Sequence, residues 1–394
     1  MEIQRELKTP CFSLLHLPFV AMKHVLQCMD STDLLRTAFV SKRMGRYTKL
    51  ANARIKLIEI EFTNNRSTIN LLDFGCLVEC YKDKDIMREK KNENDRNYSL
   101  MPWINMRNGS ILENTAKISN LIRNTFECSN IDLVIAEDVL PKKTEEILEM
   151  FQQYRELTYK PRSITTTALN KIMDSANLQH FLNIAAEIPK DFNHKNKFKF
   201  DNAQYQDATW IKLEDILNME NVRGVQLVRN NFTQSQVNTL LKRWLANDID
   251  MFYWFILELN DGIEITEVLD ELLTFKFRRE AMTIDFTLAK TTSSFRERQI
   301  LVICRFERYM VLTGWRTDKV ITECGEDIYE RDDIYDNAYN ILKLLKRKQE
   351  INTELEKNDL ELATRRRLVE DVKKLVAELE EMHVIFENEQ AFVI

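Results

Sequence analysis

Near the start of the chain, apolar residues recur at the spacing of a short amphipathic helix. The stripe follows Pro18, which suits the first turn of a helix because that position needs no N–H donor. Its apolar positions are Met22, Val25, Leu26 and Met29. This pattern predicts a helix of roughly ten residues with one apolar side.

Two further short helices are predicted directly after this one. Asp30, Ser31 and Thr32 interrupt the stripe and can cap a second helix at Asp33, and Ser41 can cap a third. The apolar positions are Leu34, Leu35 and Ala38 in the second helix and Met44, Tyr47 and Ala51 in the third. Because three short helices cannot bury all of their apolar surface, we expect this unit to complete its core against a partner.

The pattern then changes to strands that alternate with helices. Residues 55–62 alternate between apolar and polar positions, and the apolar run 69–77 could pair with them. Further strands are predicted over residues 131–135, 283–288, 299–306 and 309–315, and helices at Pro141, over 210–217 and over 265–272. Two runs, 82–96 and 323–333, consist largely of charged residues and are predicted to be solvated segments.

Two segments share the spacing of a leucine-rich repeat. Residues 222–232 carry the full spacing up to Asn230 and Phe232, and residues 252–260 repeat its first part. A capping box at Thr233 opens a helix between them, and Trp244 lies on its apolar stripe, where we expect it to be core. A strand–helix unit of this size buries its face only by stacking on neighbours, so we predict a repeat-like sheet; a closed α/β domain is the alternative.

A heptad pattern of apolar residues runs from Ile341 to Phe386. Ten of its fourteen a and d positions are apolar, and the exceptions are Lys348, Asn358, Arg365 and His383. Residues 358–361 also have the form of a capping box that restarts a helix. The sequence leaves two arrangements open, an intermolecular coiled coil and a helical hairpin folded on the chain, and slightly favours the hairpin.

Composition indicates an intracellular protein, cytoplasmic or nuclear. The 394 residues have room for two or three units, and they contain no apolar run long enough to span a membrane. The seven cysteines are odd in number and include no C-x-x-C pair, which favours free thiols. A net charge of −6 argues against nucleic-acid binding.

Motifs for catalysis or metal binding are missing from the sequence. The five histidines stand far apart, and none has a second histidine four residues away as in a zinc helix. No Gly-rich phosphate loop or nucleophile motif occurs. We therefore expect no catalytic residues, no metal, no cofactor and no enzymatic activity.

The first stretch resembles the F-box, the module by which substrate receptors dock on the Skp adaptor of SCF (Skp–cullin–F-box) ubiquitin ligases. The matching positions are Leu17-Pro18, Val25-Leu26, Met29, Asp33-Leu34-Leu35 and Val40-Ser41-Lys42-Arg43. Phe19-Val20 replace a frequent acidic pair, and Met44 replaces the usual closing Trp. The resemblance implies an adaptor-binding face that comprises Leu17, Pro18, Val25, Leu26, Met29, Leu34, Leu35 and Val40.

A later segment is similar to the second type of F-box-associated domain, found in the expanded F-box families of nematodes. The similarity rests on residues 207–217, 225–227 and 232–244. Arg278-Arg279 match an arginine pair of that family, whereas Glu280-Ala281 stand in place of its Asp-Gly turn.

Pattern and resemblance together predict an α/β (α+β) chain with four parts. These are a three-helix F-box over residues 10–54, a strand-containing connector over 55–126, a leucine-rich-repeat-like F-box-associated domain over 127–320, and a helical hairpin or coiled coil over 335–388.

The function implied is that of a substrate receptor in an SCF-type ligase. Its expected partners are a Skp-type adaptor, a cullin and an unidentified protein target, with no nucleic acid and no membrane. One alternative is a structural assembly protein that oligomerises through its C-terminal heptads. Another is an F-box protein that works with the adaptor alone, outside any ligase.

Overall fold

The computed structural model describes residues 14–74, 76–81, 99–103, 110–177, 179–260, 264–279, 282–290, 293–306, 308–317, 334–357, 360–387 and 390–393. Four predicted features lie outside these residues: the charged segments 82–96 and 323–333, the turn at 280–281, and the capping residues 358–359. The chain divides into two compact units, residues 1–161 and 162–394. In the described part of the chain, no helix is both long and apolar enough to cross a membrane.

The first unit begins with three short helices and continues as a sheet. Its helices are α1 (Phe19–Cys28), α2 (Ser31–Val40), α3 (Lys42–Thr48), α4 (Ile111–Thr125) and α5 (Pro141–Met150). Its strands are β1 (Arg54–Phe62), β2 (Arg66–Leu71), β3 (Cys76–Tyr81), β4 (Ser99–Trp103), β5 (Glu127–Ile135) and β6 (Glu156–Tyr159). They are arranged in the order β6-β5-β1-β2-β3-β4.

The segment 55–126, which the sequence predicts to be a connector, belongs to the sheet of this unit. Strand β1 pairs in parallel with β5 along its whole length, so the predicted boundary at residue 127 cuts through a paired sheet. Helix α4 was not predicted, although a capping box at Ser110 and Glu113 opens it. It packs on β2, where the Ser67 and Thr115 hydroxyls are hydrogen-bonded to each other.

The apolar run 69–77 is not one strand. Strand β2 ends at Leu71, a 3₁₀ turn occupies Leu72–Phe74, and β3 follows. The turn is fixed by Asp73, whose Oδ2 accepts a hydrogen bond from the Lys56 N–H at 2.6 Å. Periodicity alone does not reveal such a turn, because Leu72 and Phe74 continue the apolar pattern through it.

The second unit is a larger mixed sheet with six helices among its described residues. The helices are α6 (Thr166–Asp174), α7 (Leu213–Leu217), α8 (Gln234–Ala246), α9 (Ile265–Val268), α10 (Ile334–Leu355) and α11 (Leu362–Glu381). The strands are β7 (Phe181–Ile184), β8 (Asn202–Tyr205), β9 (Val222–Leu227), β10 (Phe252–Glu258), β11 (Thr274–Arg279), β12 (Met282–Leu288), β13 (Arg298–Phe306), β14 (Tyr309–Arg316), β15 (Val384–Glu387) and β16 (Gln390–Val393). Their order is β15-β16-β11-β12-β13-β14-β10-β9-β8-β7.

Strands β7 to β10 are parallel neighbours in the order in which they occur in the chain. Strand order follows chain order in this way when strand–helix units are stacked one on the next. Asn230, at the repeat position noted in the sequence, links two such units: its Oδ1 accepts from the Phe232 N–H at 3.0 Å, and its Nδ2 donates to the Glu258 carbonyl at 2.8 Å. Asn260, the equivalent residue of the next unit, donates to the Phe232 carbonyl at 3.0 Å.

Two predicted helices are shorter than their apolar pattern. Helix α7 begins after Trp210, because the Asp215 side chain accepts from the Lys212 N–H at 3.0 Å and caps the helix there. Helix α9 ends at Val268 and does not reach Leu272, and Glu271 takes a left-handed backbone conformation with φ 62°. Such a conformation cannot continue a right-handed helix.

Trp244 is core, as the helical stripe predicts. It is 1% exposed in α8, and the Arg296 guanidinium stacks on its ring with Cζ 3.9 Å from the centroid. Arg296 also donates to the carbonyls of Trp244 and Asn247, both at 2.7 Å, at the C-terminal end of the helix. This buried arginine therefore joins α8 to the segment that leads into β13.

The C-terminal region contains two helices, α10 and α11, that contact each other, so it has the hairpin arrangement. The apolar face of α10 and Leu379 near the end of α11 share one buried cluster with strands β11, β12, β13, β15 and β16. The predicted heptads extend too far, because α11 ends at Glu381 and Phe386 lies in β15. His383 has φ 61°, which stops the helix, and the β-branched and aromatic residues 384–386 form a strand paired with β16.

Asp285 is a buried carboxyl group in the middle of β12. The residue is 4% exposed, and its Oδ1 has no hydrogen-bond partner among the described residues. Burial raises the pKa of Asp285 to about 6, and this rise is partly opposed by Lys276, its neighbour on β11. The folded state therefore favours the neutral acid more strongly than the unfolded chain does.

We expect this carboxyl group to make stability depend on pH. Because the pKa is higher in the folded state, the contribution of Asp285 is fully present below about pH 4 and is lost as the pH rises through about 6. An Asp285→Asn variant has no such titration. Urea unfolding of both proteins between pH 4 and 8 should show the wild type losing about 3 kcal/mol relative to the variant. A difference that does not change with pH would contradict this assignment.

Candidate functional site

The three N-terminal helices are each started by the residues that the sequence indicates. Pro18 immediately precedes α1, and its carbonyl accepts from the Met22 N–H at 2.9 Å. Asp30 caps α2 by accepting from the Asp33 N–H at 2.8 Å, so this helix begins at Ser31 rather than Asp33. The Ser41 hydroxyl accepts from the Met44 N–H at 3.1 Å and caps α3. Pro18, Asp30 and Ser41 thus set the starts of three separate helices within 24 residues.

The core between these helices consists of six apolar residues. They are Met22, Leu26, Leu34, Leu35, Ala38 and Met44. Met44, which stands where tryptophan is usual in the F-box, is 6% exposed and therefore fills its place in the core. The apolar stripes read from the sequence thus serve first to hold this segment together, with α2 against α3 and α1 against the 3₁₀ turn Lys49–Ala51.

The eight residues predicted to bind the adaptor fall into a buried group and an accessible group. Leu26, Leu34 and Leu35 are at most 3% exposed, so the prediction that they contact a partner directly does not agree with their burial. Their place is inside the unit, because they lie on the apolar stripes that α1 and α2 bury. The remaining five are accessible: Leu17, Val25 and Met29 are half-buried, and Pro18 and Val40 are exposed.

Sequence reasoning missed three exposed apolar side chains beside these residues. They are Leu15, Phe19 and Val20, of which Phe19 and Val20 are 58% and 64% exposed, and Val40 is more exposed still at 76%. Phe19 and Val20 were noted only as replacements for an acidic pair. For Val20 the available signal was its position on α1, off the stripe of Met22, Leu26 and Met29; Phe19 lies on that stripe by spacing, so the sequence offered no signal for its exposure. Bulky apolar groups exposed in this number over one short segment mark an interaction surface.

The charge of this segment differs in sign from that of the whole chain. Residues 14–51 contain six Lys and Arg against two Asp, whereas the chain carries −6. Lys42, Arg43, Arg46 and Lys49 are exposed on and after α3. The exposed surface of this segment is therefore basic on balance, and it favours a partner with acidic groups.

Gly45 lets α3 approach its neighbours closely. A Cβ atom at this position would lie 3.2 Å from the Ala38 carbonyl oxygen in α2 and 3.9 Å from the Thr125 hydroxyl in α4. The first distance is too short for an unstrained contact. Helix α3 is thus held between α2 and α4, and the three-helix unit is supported by the rest of the first unit.

The structure gives less support to two other kinds of site, a metal site and a binding cleft. Among the described residues, no group of His, Cys, Asp or Glu side chains has the arrangement of a metal site. A cleft of about 520 Å³ lies beside the three helices, lined by Lys49, Asn52, Arg54, Asn124, Glu127 and neighbouring residues. Arg54 and Glu127 in its wall form an ion pair at 2.7 Å with both side chains largely exposed, which is typical of a strand end in water.

Comparison with known proteins identifies the helical segment. Residues 14–51 match the family model of the F-box domain, so the chain contains an F-box. The chain is also similar to the E3 ubiquitin-protein ligase hecw-1 of Caenorhabditis elegans, with 23% identity over 303 residues, covering 65% of this chain. The similarity spans only 23% of that protein's length. No solved structure matches the chain.

The division between core and surface residues can be tested by paired substitutions. Leu35→Ala removes a fully buried side chain and should lower the local unfolding free energy of α1 to α3 by about 2–5 kcal/mol. Val40→Ala removes an exposed one and should change it by less than about 0.5 kcal/mol. Amide hydrogen exchange of peptides from residues 14–51, measured on the full chain, reports both values. Equal losses of protection in the two variants would contradict the assignment.

Proposed function

We propose that this chain is the substrate-receptor subunit of an SCF-type E3 ubiquitin ligase. The F-box at residues 14–51 carries the proposal. In this role the helices α1 to α3 bind a Skp-type adaptor, the adaptor links the chain to a cullin, and the remaining domain holds a protein target. Similarity to a protein named as an E3 ubiquitin-protein ligase supports a place in the same pathway.

The contribution of such a receptor is positioning. Holding the target near a ubiquitin-conjugating enzyme raises the effective concentration of its lysine side chains, without any chemistry by the receptor. The chain would thus be a non-catalytic subunit that needs no cofactor. It would act in the cytoplasm, the nucleus or both, where its ligase partners are found.

We further propose that the part after the F-box is a nematode-type F-box-associated domain of the second type. The three segments that carry this resemblance form α7, β9 and α8, so they belong to consecutive elements of the stacked sheet. The relative with 23% identity comes from a nematode, which supports the same origin.

The adaptor-binding face that we propose consists of accessible residues. From the predicted set it keeps Leu17, Pro18, Val25, Met29 and Val40, and it adds Leu15, Phe19 and Val20. Leu26, Leu34 and Leu35 support this face from the core. The basic residues around it favour an acidic adaptor surface, so binding should weaken as salt concentration rises.

The proposal predicts that Phe19, Val20 and Val40 contribute most of the apolar contact. Replacing all three by Ala should weaken binding to a purified Skp-type adaptor by about 2 kcal/mol or more, a typical loss for interface hot spots. Isothermal titration calorimetry measures the change. Phe295→Ala is the matched control, because Phe295 is 79% exposed and lies outside the F-box. Unchanged affinity in a folded triple variant would refute this face.

One observation favours the alternative of a structural assembly protein. Leu362 and Val369 are exposed on α11, at 65% and 42%, and could pair with a second copy. We expect a monomer, because the apolar face of α10 is already buried against the sheet and α11 packs on α10. Sedimentation of the wild type and of a Leu362→Glu, Val369→Glu variant decides the point. A wild-type dimer that becomes a monomer in the variant would favour the alternative.

Co-purification separates the remaining possibilities. A receptor in a ligase binds both adaptor and cullin, and an F-box protein that acts outside a ligase binds the adaptor alone. A structural protein with a vestigial F-box binds neither. We expect the intact chain to retain both partners.

A further inference from the structure

One side of strands β7 to β10 is partly exposed and carries four carboxamides that have no hydrogen bond to another described side chain or backbone group. We call this side the amide face and define it by Asn183, Asn202, Gln204, Gln226, Trp254 and Ile256. The strand register aligns Asn183, Gln204, Gln226 and Ile256 in one row across the sheet. Asn202, Gly224 and Trp254 form the next row. All six defining residues are half-buried.

The opposite side of the same strands is the core of the unit. Ala203, Val225, Leu227, Phe255 and Leu257 alternate with the amide-face residues and are all nearly inaccessible to solvent. A one-residue shift of any strand would exchange the two sides and expose this core. The amide face is therefore held in a fixed position by the packing behind it.

The carboxamides of this face have unused hydrogen-bonding capacity. No hydrogen bond from the described residues reaches the side chain of Asn183, Gln204 or Gln226. The Asn202 Oδ1 atom is buried and has no partner among the described residues. Buried polar groups usually find a partner, because leaving one unpaired costs free energy. This buried acceptor and three accessible carboxamides on neighbouring strands point to a ligand that supplies donors and acceptors.

Trp254 gives the same face an apolar anchor. Its indole lies directly over Gly224 on the adjacent strand, so closely that any side chain at position 224 would collide with it. The ring is thereby laid against the sheet and remains partly accessible, next to Ile256. Rigid, partly exposed tryptophan is the residue type most enriched at energetic centres of protein interfaces.

The charges on and beside the amide face limit the class of ligand that this face can bind. The six residues of the amide face are all uncharged, and two pairs of charged side chains at the strand ends are bound to each other. Asp201 and Arg223 are 3.0 Å apart at one end, and Glu258 and Arg308 are 3.5 Å apart at the other. A strongly acidic or basic ligand would find no free counter-charge here, whereas an uncharged polypeptide backbone offers the N–H and C=O groups that carboxamides bind.

We propose that the amide face binds an uncharged, extended segment of the target protein, with an apolar side chain against Trp254 and Ile256. Main-chain amides of that segment pair with Asn183, Asn202, Gln204 and Gln226. This inference rests on the proposed role as a substrate receptor and specifies where and what kind of target segment is held.

The test uses a phage-displayed library of random twelve-residue peptides, selected on the full-length chain. The enriched sequence is then synthesised with a fluorescent label, and its Kd is measured by anisotropy. We expect enriched peptides that lack charged residues and contain an apolar residue near the centre. Trp254→Ala should weaken binding at least tenfold, and Asn218→Ala, an exposed amide at the end of α7, should leave it unchanged.

Two charge variants test the class of ligand without removing the anchor. Gln226→Glu and Gln226→Lys should both weaken binding of the selected peptide at least fivefold, because neither charge has a counterpart in an uncharged segment. If one of them strengthens binding, the ligand is charged and the proposal is wrong. Thermal melting of each variant checks that the sheet remains folded.

Failure of this inference is distinguishable from failure of the proposed function. If the wild-type chain does not bind the adaptor, the receptor role is refuted, and its affinity for the peptide can still be measured. The amide face is refuted if the selection enriches no peptide on the wild type relative to Trp254→Ala, or if the wild type and Trp254→Ala bind the peptide with equal Kd. Either result can occur while adaptor binding is intact.

Discussion

The stacking of strands β9 and β10 depends on two asparagine side chains, the buried Asn230 and the exposed Asn260, that tie neighbouring strand–loop units together. Asn230 bonds to the backbone of its own turn and to the Glu258 carbonyl 28 residues on, and Asn260 bonds back to Phe232. Parallel strands that end at the same edge leave backbone groups of their turns without partners, and burying such groups unpaired would cost free energy. The carboxamide, with both a donor and an acceptor, satisfies two turns at once. The strands can then stack in chain order with one side buried and the other accessible.

Where the parallel stack meets the antiparallel strands, buried arginines replace asparagines. Arg296 donates to carbonyls at the end of α8, and the Asp250 carboxylate accepts from the backbone of Glu297 and Arg298. Burial lowers the pKa of Arg296 to about 10, which still leaves the guanidinium charged at neutral pH. Its planar group meets several carbonyls and the Trp244 ring together, which a lysine could not do. Asp285 is the contrasting case, a buried carboxyl whose Oδ1 has no hydrogen-bond partner among the described residues.

The F-box divides its apolar side chains between a small core and an exposed surface. Three short helices bury their largest leucines between themselves and leave Phe19, Val20 and Val40 outside. The same leucines therefore cannot be both core and contact surface. The proposed adaptor face and the amide face lie in separate units of the chain, which suits a receptor that binds two partners independently.

The sequence by itself determined the elements whose signals are local. Caps at Asp30 and Ser41, the stripe around Trp244 and the strands predicted over 283–288, 299–306 and 309–315 all lie within short windows, and the structure confirms each. The F-box motif could be recognised for the same reason. Tertiary structure alone decided which apolar residues face inward, because Leu35 and Val40 are equally apolar in the sequence. It also decided that β1 pairs with β5, and that Gln204, Gln226 and Trp254 share one surface. These outcomes depend on pairings between residues far apart in the chain, and no local pattern encodes them.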